Sequence, residues 1–341
     1  MSADLAWKAG RYPTASGLIG SLAIALSISM SPVCSAARAA APSFPAHPVT
    51  VIVASSPGSS MELETRILAE KFKQLTGQPL EVNLMPGANG SIGATHVMQS
   101  APNGYTLFLS PASPMVFDQL THKDLPYDPS KFSPIIEVAA QPLVLVTRGN
   151  FPANSLKGLI AYAKSYPKKT YFGSTGIGGG NHLSVLLLAK YAHLDMKHIP
   201  YEGAGPVTQA LLRGEVDFAV LSLSTVLPWY KEGKLKILAV GSQHRDPAIP
   251  QVPTFRQLGY PQQFILTAWT VLVGPPKMPK ATVDEINSVI NKEYADPDIR
   301  NQFKKIGVNI IGGSPAAVSS MLSEERAKWK RVARENGIKP Q

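Results

Sequence analysis

From His47 onward the chain alternates short β-branched runs with stretches of helical period, and it does so twice. "HPVTVIVASS" (47–56) reads as a buried strand and Pro57-Gly58-Ser59-Ser60 as a turn. "MELETRILAEKFKQLTGQP" reads as a helix with Ile67, Leu68, Phe72 and Leu75 on one side. Gly77, just past its last turn, and Pro79 stop that helix. "LEVNL" is the next strand, and "MPGANGSIGATHVMQSAPNGYTLFLS" gives a loop, a short helix, an Asn-Gly turn and a strand ending at Ser110. The order restarts after "QPLVLVTRGN" (141–150) with a helix near 155–166 and a strand, glycine-rich turn and apolar helix in "TYFGSTGIGGGNHLSVLLLAKYAH" (170–193). Strand "KHIPY", helix "GPVTQALLRG", strand "VDFAVLS", short helix "TVLPWYKEG" and strand "KLKILAVGS" follow. Past a proline-rich stretch from Asp246, "TAWTVLVGPP" gives one more strand, and helices are expected over 281–294, 297–305 and 315–336. Such alternation predicts an α/β chain with mostly parallel sheets covered by helices. Two runs joined by strand-like crossovers, near 141–148 and 240–245, predict two lobes with a ligand cleft between them.

The first 39 residues stand apart. Lys8 and Arg11 precede the apolar "GLIGSLAIALSISM" (17–30), and Ala37-Arg38-Ala39 fits a cleavage site, so a secretory signal cut after Ala39 is expected. The apolar run falls short of the ~20 residues of a membrane span, and Pro32-Val33-Cys34 is a poor lipoprotein signal. Cys34 is the only cysteine, so the mature chain has no disulfide, no thiolate nucleophile and no Cys-based metal site. A cysteine-free exported chain of this size suits the bacterial periplasm. Removing 39 of 341 residues leaves 302, enough for two domains of about 150 residues each. The expected division is 42–143 for the first part of lobe 1, 144–245 for lobe 2, and 246–341 for the second part of lobe 1 with its helices. The net charge of +10 falls to +8 once Lys8, Arg11, Arg38 and Asp4 leave. The basic residues are scattered, and the densest run, "RAKWKRVAR" (326–334), sits among acids on a helix pattern, which argues against nucleic acid.

The glycines raise the sharpest question of chemistry. Five fall between Gly173 and Gly180, a density that points to close approach by a ligand or another backbone. A dinucleotide frame starting at Gly176 and Gly178 meets Asn181 at its third glycine, and no acid closes the next strand. No G-K-[ST] and no G-x-S-x-G occurs, so a P-loop and a hydrolase elbow are not signalled. A loop feeding a helix N-terminus does offer unpaired N–H donors and about half a positive charge to an anion. One such loop occurs in each lobe, Pro57 to Ser60 and Gly176 to Asn181, with "MPGANGSIG" (85–93) as a third glycine-rich turn. Each alone fits a tight connection equally well; the matched pair favours a carboxylate clamp. The seven histidines show no H-x-x-x-H spacing, so neither a metal site nor a cofactor is implied. His182, at a helix start, is either a locally packed side chain or a pocket wall or ligand donor. Asp217, inside a strand pattern, reads as structural.

Seven motifs in order then resemble one family: "PGANGSIGA" (86–94), "APNGYTL" (101–107), "LPYDPSKFSPI" (125–135), "GSTGIGGGNHLS" (173–184), "HIPYEGAGPVTQALLRGEVDF" (198–218), "GKLKILAV" (233–240) and "PQVPTFRQLGYP" (250–261). They resemble the periplasmic substrate-binding proteins of tripartite tricarboxylate transporters, the Bug family, over essentially all of the mature chain. The resemblance implies a two-lobed type II periplasmic-binding fold that holds a ligand carboxylate largely through backbone amides and waters. It implies ligand-binding positions at Ser56, Pro57, Gly58, Ser59, Ser60, Ser110, Ser174, Gly178, Gly179, Gly180, Asn181 and His182. It implies no catalytic step, with membrane permease subunits as partners. A receptor feeding a sensor kinase is the alternative, and a secreted hydrolase built from Ser59, Ser174 and His182 is the third reading. Three departures matter. Gly58-Ser59 and Glu62 stand where the family has Gly-Gly and soon Asp. Gly179-Gly180-Asn181 stand where it has Ser/Thr before the histidine, and Leu221 where many members carry Asp. Losing hydroxyls and an acid suggests a carboxylate with a less polar body, an aromatic one included, rather than an amino acid.

Overall fold

The computed structural model describes residues 44–340 apart from residue 202. The segment read as a signal, with its Cys34, lies outside the described residues. Local signals set the element ends. α1 (Ser60–Thr76) follows β1 (Val49–Val53) and begins at the N-cap Ser59, whose Oγ accepts the Glu62 N–H. It ends at Gly77 in left-handed backbone, φ 75°, as the glycine-then-proline spacing predicts. β2 (Leu80–Leu84), α2 (Ser91–Met98) and β3 (Thr106–Pro111) complete the first run. A π-helical turn (Ser113–Phe117) and the short α3 (Asp118–Thr121) lead to β4 (Ser133–Arg148). The second run is α4 (Leu156–Ser165), β5 (Tyr171–Ser174), α5 (Gly180–Ala192), β6 (Lys197–Pro200), α6 (Ala204–Arg213), β7 (Phe218–Ser222), α7 (Leu223–Lys231) and β8 (Leu235–Val240). β9 (Thr267–Gly274), α8 (Lys280–Tyr294), α9 (Pro297–Lys305), β10 (Asn309–Gly312) and α10 (Pro315–Glu335) close the chain.

The strands joined through helices pair in parallel: β1 lies between β2 and β3, and β5 between β6 and β7. The crossovers enter antiparallel. β4 is the long member: residues 133–142 pair with β9, and residues 143–147 pair with β7, with β8 on its other edge. One strand thus belongs to both sheets. Three chain crossings are pinned at one point: Leu143 N–H donates to the Leu266 carbonyl (2.9 Å), Gly241 N–H to the Leu143 carbonyl (2.8 Å) and Leu266 N–H to the Gly241 carbonyl (2.7 Å). A Cβ on Gly241 would sit 2.5 Å from the Leu266 oxygen, so only glycine fits.

The proline-rich stretch after Asp246 stays on the second sheet. Phe255 N–H donates to the Val240 carbonyl at 3.0 Å, and Ile249 and Val252 pack in one cluster with Val144 and Leu221. Phe72, Leu107, Ile290 and Phe303 belong to the core of the first sheet. A third apolar cluster joins the two, with Phe117 of the π-turn edge-on to Trp329 of α10 at 5.5 Å. Asp217 is structural: it accepts the Tyr171 N–H at 2.9 Å and pairs with Arg148 Nε at 3.2 Å. Among the described residues no helix is long and apolar enough to cross a membrane.

Candidate functional site

The first glycine loop runs from β1 into α1. Ser56, Pro57 and Gly58 are exposed, while Ser59 and Ser60 are half-buried. The loop is laced by its own side chains. Ser55 Oγ and Ser59 Oγ lie 2.6 Å apart, and Glu62, in the first turn, reaches back to accept the Gly58 N–H at 2.6 Å. This is a capping box displaced by one residue, since the usual target is the N-cap's own N–H. Arg66 Nε donates to the same carboxylate at 2.8 Å. The Gly58 N–H first, and then Arg66, hold the Glu62 carboxyl below its ordinary range. The loop's one left-handed glycine amide is therefore spent on a carboxylate of the chain, and the first-turn amides of α1 remain as its donors.

The second loop joins β5 to α5, and its side chains are also occupied. Ser174 is fully buried, and its Oγ meets the Gly176 carbonyl (3.0 Å), the Gly176 N–H (3.2 Å) and His198 Nε2 (2.6 Å). A hydroxyl has one proton and two lone pairs. All three contacts are satisfied when it donates to the Gly176 carbonyl and accepts from Gly176 N–H and His198 Nε2–H. Asn181 accepts from Thr175 Oγ1 at 2.9 Å and donates to the Val220 carbonyl at 2.7 Å. His182 accepts the Gly178 N–H on Nδ1 at 3.0 Å, and its ring stacks on His198 with centroids 4.0 Å apart. Burial first, and His198 beside it, push the His182 pKa down to about 4; burial also lowers that of His198. Left open at the loop are the His182 Nε2–H and the start of α5. Its N-cap is Gly179, no side chain caps it, and the amides of Gly180 and Asn181 fall in its first turn. Ile177, at the tip, is 70% exposed.

Contacts at three glycines link the two loops. A Cβ on Gly90, in the third glycine-rich turn, would lie 2.9 Å from Ala54 Cβ at the base of the first loop and 2.8 Å from Pro114 of the π-turn. A Cβ on Gly180 would lie 2.9 Å from the Phe117 ring of that same turn, and one on Gly178 would collide with Thr121 Cγ2. The turn after β3 is thus wedged between the first loop's base and the second loop. Ser110, at the end of β3, is buried with its Oγ donating to the Pro111 carbonyl at 2.9 Å, within its own chain.

Sequence reasoning passed over the group that holds this wedge. Asp118 is 2% exposed and accepts from Ser91 Oγ (2.6 Å), Ser113 Oγ (2.8 Å) and Tyr127 OH (3.0 Å). It ties α2, the π-turn and the segment before β4 together. It also passed over His198, which register alone places opposite Phe172 and beside Ser174. The one available signal was the polar His198 in a short strand pattern. Leu221, at the family's acid position, is buried opposite Val144 in the second core.

Comparisons with known proteins bear on the chain as a whole. A family model described as "Tripartite tricarboxylate transporter family receptor" matches residues 65–338. BugT of Bordetella pertussis is 32% identical over 306 residues, covering 89% of this chain and 94% of that protein. Among solved structures, an R. palustris protein with adipate is similar at TM-score 0.77 and 26% identity, over 87% of this chain and 100% of that one. The periplasmic binding protein BugD gives TM-score 0.74 at 29% identity, over 87% and 100% of the two chains. MatC from Rhodopseudomonas palustris with bound malate gives 0.72 at 29%, over 85% and 100%.

Proposed function

The chain belongs to the tripartite tricarboxylate transporter receptor family, and from that premise we propose that it is a periplasmic receptor for a small organic carboxylate with a weakly polar body. It captures that anion between its lobes, performs no chemical step and delivers it to the membrane subunits of a tripartite transporter. The observation that carries this reading is the uncapped start of α5. Ser174 Oγ, Asn181 Oδ1 with one of its Nδ2 hydrogens, and His182 Nδ1 are engaged inside the protein, and the first-turn amides of α5 stand uncapped as the second loop's backbone donors. Backbone N–H groups at a helix start suit a carboxylate, at about 1.5–3 kcal/mol for each charge-assisted hydrogen bond. The first loop adds the start of α1. The related R. palustris structures with adipate and malate support the ligand class.

Two features support the weakly polar body. The acids nearest the loops are committed, Glu62 to Gly58 and Arg66, and Asp118 to three hydroxyls, so neither is left to pair with a ligand ammonium. Ile177 adds an exposed apolar side chain at the tip of the second loop. The hydrolase reading loses its base and nucleophiles: His182 Nδ1 is occupied by the Gly178 N–H, His198 donates to a buried Ser174, and Ser59 is consumed as an N-cap. For the hinge we propose the triple crossing of Leu143, Gly241 and Leu266.

Titration calorimetry against aliphatic and aromatic mono- and dicarboxylates, with aspartate and glutamate as controls, tests the proposal. At least one non-amino carboxylate is expected to bind submicromolar, which needs about 8 kcal/mol or more. Tight binding of aspartate or glutamate alone would refute the weakly polar body, and no binding across the panel would refute the carboxylate.

A further inference from the structure

The second loop is held from two sides. Gly178 is buried and adopts left-handed backbone, φ 77°. On one side a Cβ at this position would run into Thr121, so the loop seats directly on α3 of the other lobe. On the other, its N–H donates to His182 Nδ1. A ring nitrogen can accept that hydrogen only while its lone pair is free, so the His182 proton sits on Nε2 and the ring is neutral. An imidazolium would turn Nδ1 into a donor facing a donor and would leave a buried amide without a partner.

The ring's own placement is fixed in turn. His182 lies parallel to His198 (14° between planes), and His198 lies parallel to Phe172 at 4.8 Å. The middle ring of this stack is tied by the 2.6 Å contact of His198 Nε2 with Ser174 Oγ, at the last residue of β5. Strand β5, strand β6 and helix α5 thus meet at two stacked imidazoles.

We propose that His182 is a positioning residue of the second loop: its neutral Nδ1 fixes the Gly178 amide and thereby aims the first-turn amides Gly180 and Asn181, with His198 and Ser174 holding the ring in place. This deepens the carboxylate-receptor reading and rests on it for the consequence to binding, while the loop geometry can be tested without any ligand. His182→Phe keeps an aromatic ring in the stack and removes the acceptor. His182→Asn gives up the stack but keeps an acceptor oxygen at about the Nδ1 position.

The experiment uses the mature, 15N-labelled protein. In the wild type at pH 7, His182 Nδ1 resonates as an unprotonated ring nitrogen. Amide exchange at Gly178 is expected to be about tenfold faster or more in His182→Phe, the equivalent of one lost hydrogen bond, and within about threefold of wild type in His182→Asn. Calorimetry with adipate and malate as probes follows the same split: binding weakens about tenfold in His182→Phe and is largely retained in His182→Asn. A protonated Nδ1, or equal Gly178 exchange in the two variants, overturns the proposal. If neither probe binds the wild type while Gly178 exchange splits as stated, the positioning role stands and adipate and malate are excluded as ligands.

Discussion

At the scale of single residues, the two loops are shaped by what a side chain would collide with. Gly178 combines left-handed backbone with a closed neighbour, Thr121. Gly178→Ala is expected to cost about 1–3 kcal/mol, part from left-handed strain of ~1–2 kcal/mol and part from the collision. Thr121→Ser in the same chain removes the colliding methyl and should return only the second part, read from urea midpoints. Full recovery would mean the backbone was never strained. The buried histidine gives a pH test. The His182 pKa lies near 4 in the fold against about 6.5 in the unfolded chain. Its contribution is therefore complete above pH ~6.5 and is lost as pH falls toward 4, where the unfolded chain binds the extra proton; the loss amounts to about 2 kcal/mol at pH 5 and about 3 kcal/mol at pH 4. His198 shifts in the same direction and steepens the loss. Unfolding at pH 7 and pH 5 should show the slope in the wild type, and a smaller one in His182→Asn.

At the scale of elements, much was legible because the signals are local. Gly77 and Gly214 stop α1 and α6 in left-handed backbone, and Pro297 and Pro315 open α9 and α10 at their first positions. What escaped was set by pairing between distant segments. The front half of β4 carries no turn or alternation that announces it as a strand of the first sheet, and β10 is only four residues long. The placement of His198 beside Ser174 follows from the register of β5 on β6, which no local pattern encodes. In the second loop, the ligand-binding positions expected at Ser174, Asn181 and His182 carry side chains whose Oγ, Oδ1 and Nδ1 bond within the protein, partners that only the fold supplies. One buried acid lay outside any pattern. Glu293 on α8 is fully buried with both carboxylate oxygens unpartnered, and burial pushes its pKa up to about 9. A raised acid pKa means that the folded state holds a proton the unfolded chain has lost, so stability falls as pH rises from about 4.5 toward 9. Glu293→Gln should be more stable by about 3–5 kcal/mol at pH 7–8, equal near pH 4.5, and flatter between. A variant less stable at pH 8 would show that the carboxylate is paired after all.

At the scale of the whole molecule, one strand runs through both sheets and three crossings are tied at Leu143, Gly241 and Leu266, the place proposed for the hinge. On the proposed reading, the anion bridges the two loops, and closure is favoured to the extent that both loops touch it. Hydrogen exchange with and without the carboxylate selected by calorimetry tests this most directly. Added ligand should slow exchange together at the starts of α1 and α5, residues 58–62 and 178–182, with no comparable change in α8 or α9. Protection confined to one loop, or appearing only away from both, would contradict capture between the lobes.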